Sequence, residues 1–182
     1  MKKNLVLAAL SLLVFTFAAS AQKTADFSGT WNLDLAKSKL SEREKTSLES
    51  QTLTITQTAT DIKVDTATKR SAPPAGAPAG GPPGGRMGGG MGTPDGLATY
   101  TLDGKDVKSE MTTPMGSMQV STKAKFDGGK LEITRTVTTP MGDRASIEKW
   151  SLGTDGTLSI ESQRPNRDGG TDTTTKVYSK KQ

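Results

Sequence analysis

The sequence predicts an all-β protein, an up-and-down antiparallel meander of about 8–10 strands that closes into a barrel. Three observations carry this. Apolar and β-branched residues recur at every second position over most of the chain beyond residue 21, which holds 26 Thr; period two is the spacing of a strand with one buried face. Asp103-Gly104, Asp127-Gly128 and Asp155-Gly156 punctuate the pattern, and glycine there supplies the positive φ of a hairpin tip. Thr112-Thr113-Pro114-Met115-Gly116 recurs as Thr138-Thr139-Pro140-Met141-Gly142, each copy one strand beyond an Asp-Gly tip. Proline cannot sit in a central ladder, so these repeats mark reversals.

The elements follow in chain order. Residues 1–21 read as a signal peptide: Lys2 and Lys3, an apolar run over 5–18, then Ala19-Ser20-Ala21 as a small-x-small cleavage site before Gln22. That run is shorter than the ~20 residues a spanning helix needs. No Cys follows it, so the expected product is a soluble exported protein, periplasmic or extracellular and not a lipoprotein, forming one β domain over 22–182. Trp31, Leu33 and Leu35 alternate with polar residues. Ser41 to Glu44 has capping-box spacing, but Leu40 and Leu48 are its flanking apolar residues; a surface loop with a single helical turn is expected. Leu53 with Ile55, and Ile62 with Val64, mark the next two strands.

Residues 71–96 break the pattern. Ten of them are Gly and six are Pro, a composition that cannot bury enough surface to offset its ordering entropy. A disordered Gly/Pro-rich loop is expected, interrupting the domain without dividing it. Beyond it, Met118, Val120, Thr122, Ala124 and Phe126 form one face of a long strand, and Leu131, Ile133, Arg135 and Val137 that of the next. Ile147 and Trp150 are three apart, so a regular strand would aim them at opposite faces. Either Trp150 sits outside, or a β-bulge near Glu148–Lys149 re-aims it inward; the bulge is the preferred expectation, since an outward Trp would be a large exposed apolar group. Leu158 and Ile160 alternate in the strand that leads to Arg164-Pro165-Asn166. This many strands laid flat would leave exposed edges, which closure removes.

The segment Asp26-Phe27-Ser28-Gly29-Thr30-Trp31-Asn32-Leu33 resembles the G-x-W opening strand of lipocalins and the wider calycin group. More closely it is similar to secreted bacterial lipocalin-like proteins that begin Phe-x-Gly-x-Trp-x-Leu and continue with a Lys-Ser element, here Lys37-Ser38. The resemblance implies a lipocalin-like antiparallel barrel, many of which hold small apolar ligands. It also implies that Trp31 closes one end, covered by Lys180 or Lys181 where the family has an Arg.

Composition removes several chemistries. The chain has no Cys and no His, and so no Cys nucleophile, no Ser-His-Asp triad and no zinc constellation. A net charge of +5, two units of it from Lys2 and Lys3, is too weak and too evenly spread for nucleic acid. The Gly-rich tract lacks the spacing of a phosphate loop. Glu110, Glu132, Glu148 and Glu161 fall on separate strands; Glu132 and Glu148 are the pair that one hairpin face would have to present for glycosidase-type chemistry, and they read as surface charges. Thioethers suit Cu(I), but Met115 and Met141 mark turns and Met87 and Met91 lie in the loop. No enzyme, cofactor or metal is expected, and no membrane span after leader cleavage.

Two functions remain. The first is non-enzymatic binding of a small apolar molecule in the barrel interior, with Leu53, Ile55, Phe126, Ile133 and Ile147 as lumen candidates and Trp31 closing one end. The second is a structural or protein-interaction module of the cell envelope with a packed barrel.

Overall fold

The computed structural model describes residues 24–71, 95–113, 116–140, 142–166 and 168–181. Residues 1–21, expected as a leader, and most of residues 71–96, expected as a disordered loop, lie outside them. The described chain forms β1 (Gly29–Lys39), α1 (Glu42–Ser47), β2 (Leu48–Gln57), β3 (Asp61–Arg70), β4 (Gly96–Thr101), β5 (Val107–Thr113), β6 (Gly116–Asp127), β7 (Lys130–Thr139), β8 (Gly142–Leu152), β9 (Leu158–Pro165) and β10 (Thr171–Lys180). These ten strands make one antiparallel sheet in the order β4-β3-β2-β1-β10-β9-β8-β7-β6-β5. The sheet curls until β4 packs against β6, a nearly closed barrel. Strands from both sides of the 71–96 loop belong to it, and β3 pairs directly with β4 from Thr66↔Gly96 to Asp61↔Thr101.

Paired strands meet at Asp127-Gly128, at Asp155-Gly156 and at both Pro-Met-Gly copies; Asp103-Gly104 is not a hairpin tip, because β4 and β5, which flank it, end opposite edges of the sheet and do not pair. Between β6 and β7, Asp127 pairs with Lys130 across a two-residue loop. Gly128 and Gly129 both carry positive φ, 56° and 82°, which a tight hairpin matched to strand twist requires. The two Thr-Thr-Pro-Met-Gly copies join β5 to β6 and β7 to β8, with Thr113↔Gly116 and Thr139↔Gly142 as the last pairs. α1 fills the β1–β2 connection. Ser41 and Glu44 complete the capping box, and the flanking Leu40 and Leu48 are buried. The helical turn therefore becomes a six-residue helix pinned at both ends.

The expected bulge at Glu148–Lys149 is absent. Pairing of β7 with β8 runs unbroken from Leu131↔Trp150 to Thr139↔Gly142. Trp150 is buried, so strand alternation sends Ile147 to the opposite, outer face. Ile147 is half-buried there and is withdrawn from the lumen candidates. Register shifts occur elsewhere: in β2, between Leu48↔Arg70 and Ser50↔Lys69, and in β1, where the register with β10 shifts between Asp34↔Val177 and Lys39↔Thr175. Ser38 bridges it: its hydroxyl donates to Asp34 O at 2.6 Å and accepts from Val177 N at 3.0 Å. The Lys37-Ser38 element thus supplies the ladder contact that the extra residues would otherwise cost.

Candidate functional site

One end of the barrel is a packed floor. Ala25 and Phe27, just before β1, are tied to β2 through Gln57: Phe27 N donates to Gln57 Oε1 at 3.0 Å, and Gln57 Nε2 donates to Ala25 O at 2.9 Å. Phe27 is wholly buried. Its ring stacks on Phe126 with centroids 6.3 Å apart and meets Trp150 edge-on at 5.9 Å, arrangements favoured by ring quadrupoles. Trp31 is buried beside them, its Nε1–H donating to Phe27 O at 2.8 Å. Lys180 Nζ lies 5.3 Å from the Trp31 ring centroid, a cation–π cover. Gly29 is obligatory beneath that cover. Its φ is +132°, and a Cβ there would come within 2.6 Å of Lys180 Cε.

Above the floor the core continues through Leu53, Ile55 and Ile133, all buried, with Phe126 partly buried against it. Four of the five lumen candidates therefore belong to one packed cluster, and Ile147 does not. Further along the same strands the inward parity is kept, but the side chains turn polar. Gln51, Thr66, Ser146 and Ser162 are buried. Tyr178 Oη donates to Gln51 Oε1 at 2.7 Å, and Lys176 Nζ donates to the same oxygen at 3.3 Å. Gln51 Nε2 donates to Thr68 Oγ1 at 2.9 Å. Lys176 also pairs with Glu44 of α1 at 3.3 Å, which ties the helix to this end of the barrel.

The electrostatics follow from burial. Burial pushes the Tyr178 phenol far above its ordinary value, with Glu148 and Glu44 adding to the shift, so it stays a neutral donor. For Glu44, burial raises the pKa, but Lys176 and the Ser41 hydrogen bonds outweigh it and hold the carboxyl below its ordinary value. The Thr66 hydroxyl is buried and has no hydrogen-bond partner. Tyr100, Ile133, Arg135, Ser146 and Glu148 border a space of about 10 Å³, on the order of a single water probe. A larger concavity of about 630 Å³, lined by residues including Lys37, Asp155, Lys180 and Lys181, is an open groove away from this interior.

Glu132 and Glu148 do not make a catalytic pair. Glu132 stands opposite Lys149, whereas Glu148 stands opposite Ile133, so the two point to opposite faces, and Glu148 accepts from Trp150 Nε1 at 3.3 Å. Among the described residues no three His, Cys, Asp or Glu side chains converge as a metal site. What the polar half offers is neutral hydroxyl and amide hydrogen bonding flanked by paired charges. Gln51, Thr66 and Ser162 sit at the same parity as the apolar residues that mark β2, β3 and β9, and continuing that parity would have found them. Lys176 and Tyr178 lie in β10, which no apolar alternation marked, and Ser146 shares its parity with Trp150 but not with Ile147.

No protein-family model matches the chain, and no curated protein matches it in sequence. Among solved structures it is similar to a point mutant of the fluorescent protein UnaG, with 15% identity and a TM-score of 0.50 over 86% of this chain and 96% of that one. Secretory abundant heat soluble protein 4 from Ramazzottius varieornatus aligns at 11% identity and a TM-score of 0.48, over 85% of this chain and 94% of that one. Together with the strand order, the UnaG likeness gives the chain a calycin-like barrel fold.

Proposed function

We propose that the chain is exported with loss of residues 1–21 and acts without catalysis, holding a small, largely apolar molecule in the barrel interior above the aromatic floor. One observation carries the reading: the inward face is not filled with apolar side chains to the top but ends in a polar half where the Thr66 hydroxyl is buried without a partner. A buried hydroxyl left unmatched costs free energy that a bound hydrogen-bonding group recovers. The apolar body of the ligand would rest on Ile133 and Tyr100, which border a small interior space. Accommodating it requires side chains such as Arg135 to move, since the space as it stands is about 10 Å³.

That small volume favours the second reading, a packed barrel serving as a structural or interaction module of the cell envelope. Titration with an apolar fluorescent probe separates the two. The binding reading expects saturable binding that Ile133→Arg abolishes. No saturable binding by the wild type, together with a loss of roughly 2–5 kcal/mol in Ile133→Ala, leaves the packed module standing and removes the ligand.

A further inference from the structure

We infer that β5 is the surface through which two copies of this chain pair, edge to edge and antiparallel. Among the described residues β5 ends the sheet, bound to β6 on one side and to no strand on the other. The opposite edge strand, β4, still turns one face inward, with Tyr100 buried and Ala98 half-buried. β5 behaves differently. Val107, Lys108, Ser109, Glu110 and Thr112 are all exposed, so both of its faces meet solvent. Val107, an apolar residue, is 48% exposed. The strand has no Pro, no Gly and no bulge in its register with β6. A straight, unprotected edge of this kind is a template for another strand.

The side chains specify which strand. An antiparallel two-fold pairing centred on Ser109 sets Lys108 opposite the partner's Glu110, and Glu110 opposite the partner's Lys108. On the other face it sets Val107 opposite the partner's Met111. Opposite charges and apolar pairs directly across a ladder stabilise it, and like charges there destabilise it. Moving the centre by one residue faces Lys108 with Lys108 or Glu110 with Glu110. Among pairings centred on Lys108, Ser109 or Glu110, the charges therefore favour a second copy as occupant in the Ser109 register. Neither Lys108 nor Glu110 is committed to an ion pair among the described residues. The resulting contact is isologous, the same patch on each copy, and closes as a two-fold dimer.

The absence of Cys from the chain makes the test direct. In the full chain, Ser109→Cys should form an intermolecular disulfide under mild oxidation. Thr112→Cys, which faces the partner's Asp106 in this register, should not. In sedimentation equilibrium the wild type should dimerise with concentration, and Lys108→Glu should weaken association on the order of tenfold by facing two like-charge pairs. The double exchange Lys108→Glu with Glu110→Lys should restore it. All these positions are exposed, so the fold survives the substitutions. A wild type that stays monomeric up to its solubility limit overturns the inference. So does a double exchange that fails to restore association, or cross-linking of Thr112→Cys as efficient as that of Ser109→Cys.

Discussion

At the floor of the barrel, Phe27, Trp31 and Trp150 are sealed from solvent and bound to one another by ring contacts and one indole hydrogen bond. Away from the floor, on β2, β9 and β10, the inward positions hold Gln51, Ser162 and Lys176, with Lys176 hydrogen-bonded to Gln51 and ion-paired to Glu44 of α1. Alternation aims both sets inward, but the free energies differ. Burying an aromatic ring gains from area and packing density. Burying an amide or hydroxyl only breaks even when every donor and acceptor finds a partner. The floor therefore holds the barrel together, and the polar half is where stability has been given up.

Four substitutions sharpen or break that comparison. The largest effect belongs to the floor. Trp150→Ala should cost about 3–5 kcal/mol in urea denaturation, because the side chain is 1% exposed and its neighbours Phe27 and Leu131 cannot refill the space. Ser162→Ala in the polar half should cost far less, and equal losses at both sites would erase the distinction. Next comes Thr66→Val, which replaces the unmatched hydroxyl with a methyl of the same shape. It should raise stability by up to about 1 kcal/mol, and a loss of that size would mean that the hydroxyl is bonded after all. The smallest effect is a pH dependence. The Glu44 carboxyl is held below its ordinary 4.5 in the folded chain, so its contribution is present above the unfolded value and is lost as pH falls through the lower folded one. The stability gap between wild type and Glu44→Gln should therefore be constant from neutral pH down to about 4.5 and close below it.

Much of the barrel was legible because one rule, period two, applies to most of the strands, and the Asp127-Gly128, Asp155-Gly156 and Pro-Met-Gly reversals reset it cleanly. The floor was legible as far as Trp31. Phe27 was not assigned a role, since it precedes the first strand and no alternation reaches it; Gln57 holds it in place by hydrogen bonds across 30 residues of sequence. Apolarity alone does not give the face of Ile147: aiming it inward requires a bulge to bring Trp150 to the same side. The unbroken β7–β8 register shows that a half-buried isoleucine on the outer face costs less than a disrupted ladder. The register shift between Asp34 and Lys39 leaves no apolar signature, because a serine hydroxyl stands in for a missing backbone partner.

The strand order has a consequence for how the molecule is made. β4 and β5 are joined by a short connection, yet the hydrogen-bonded seam of the barrel runs between β1 and β10, where Trp31 meets Lys180 and Lys181 N donates to Thr30 O at 2.7 Å. Joining partners so far apart in sequence carries the loop-closure entropy of almost the whole domain, and such non-local pairing is the slow step of folding. On an emerging chain, the two hairpin runs β1–β4 and β5–β10 can each begin to form, but neither can seal until β10 has been synthesised. The floor, where Trp31 meets Lys180, is therefore completed only when β10 pairs with β1.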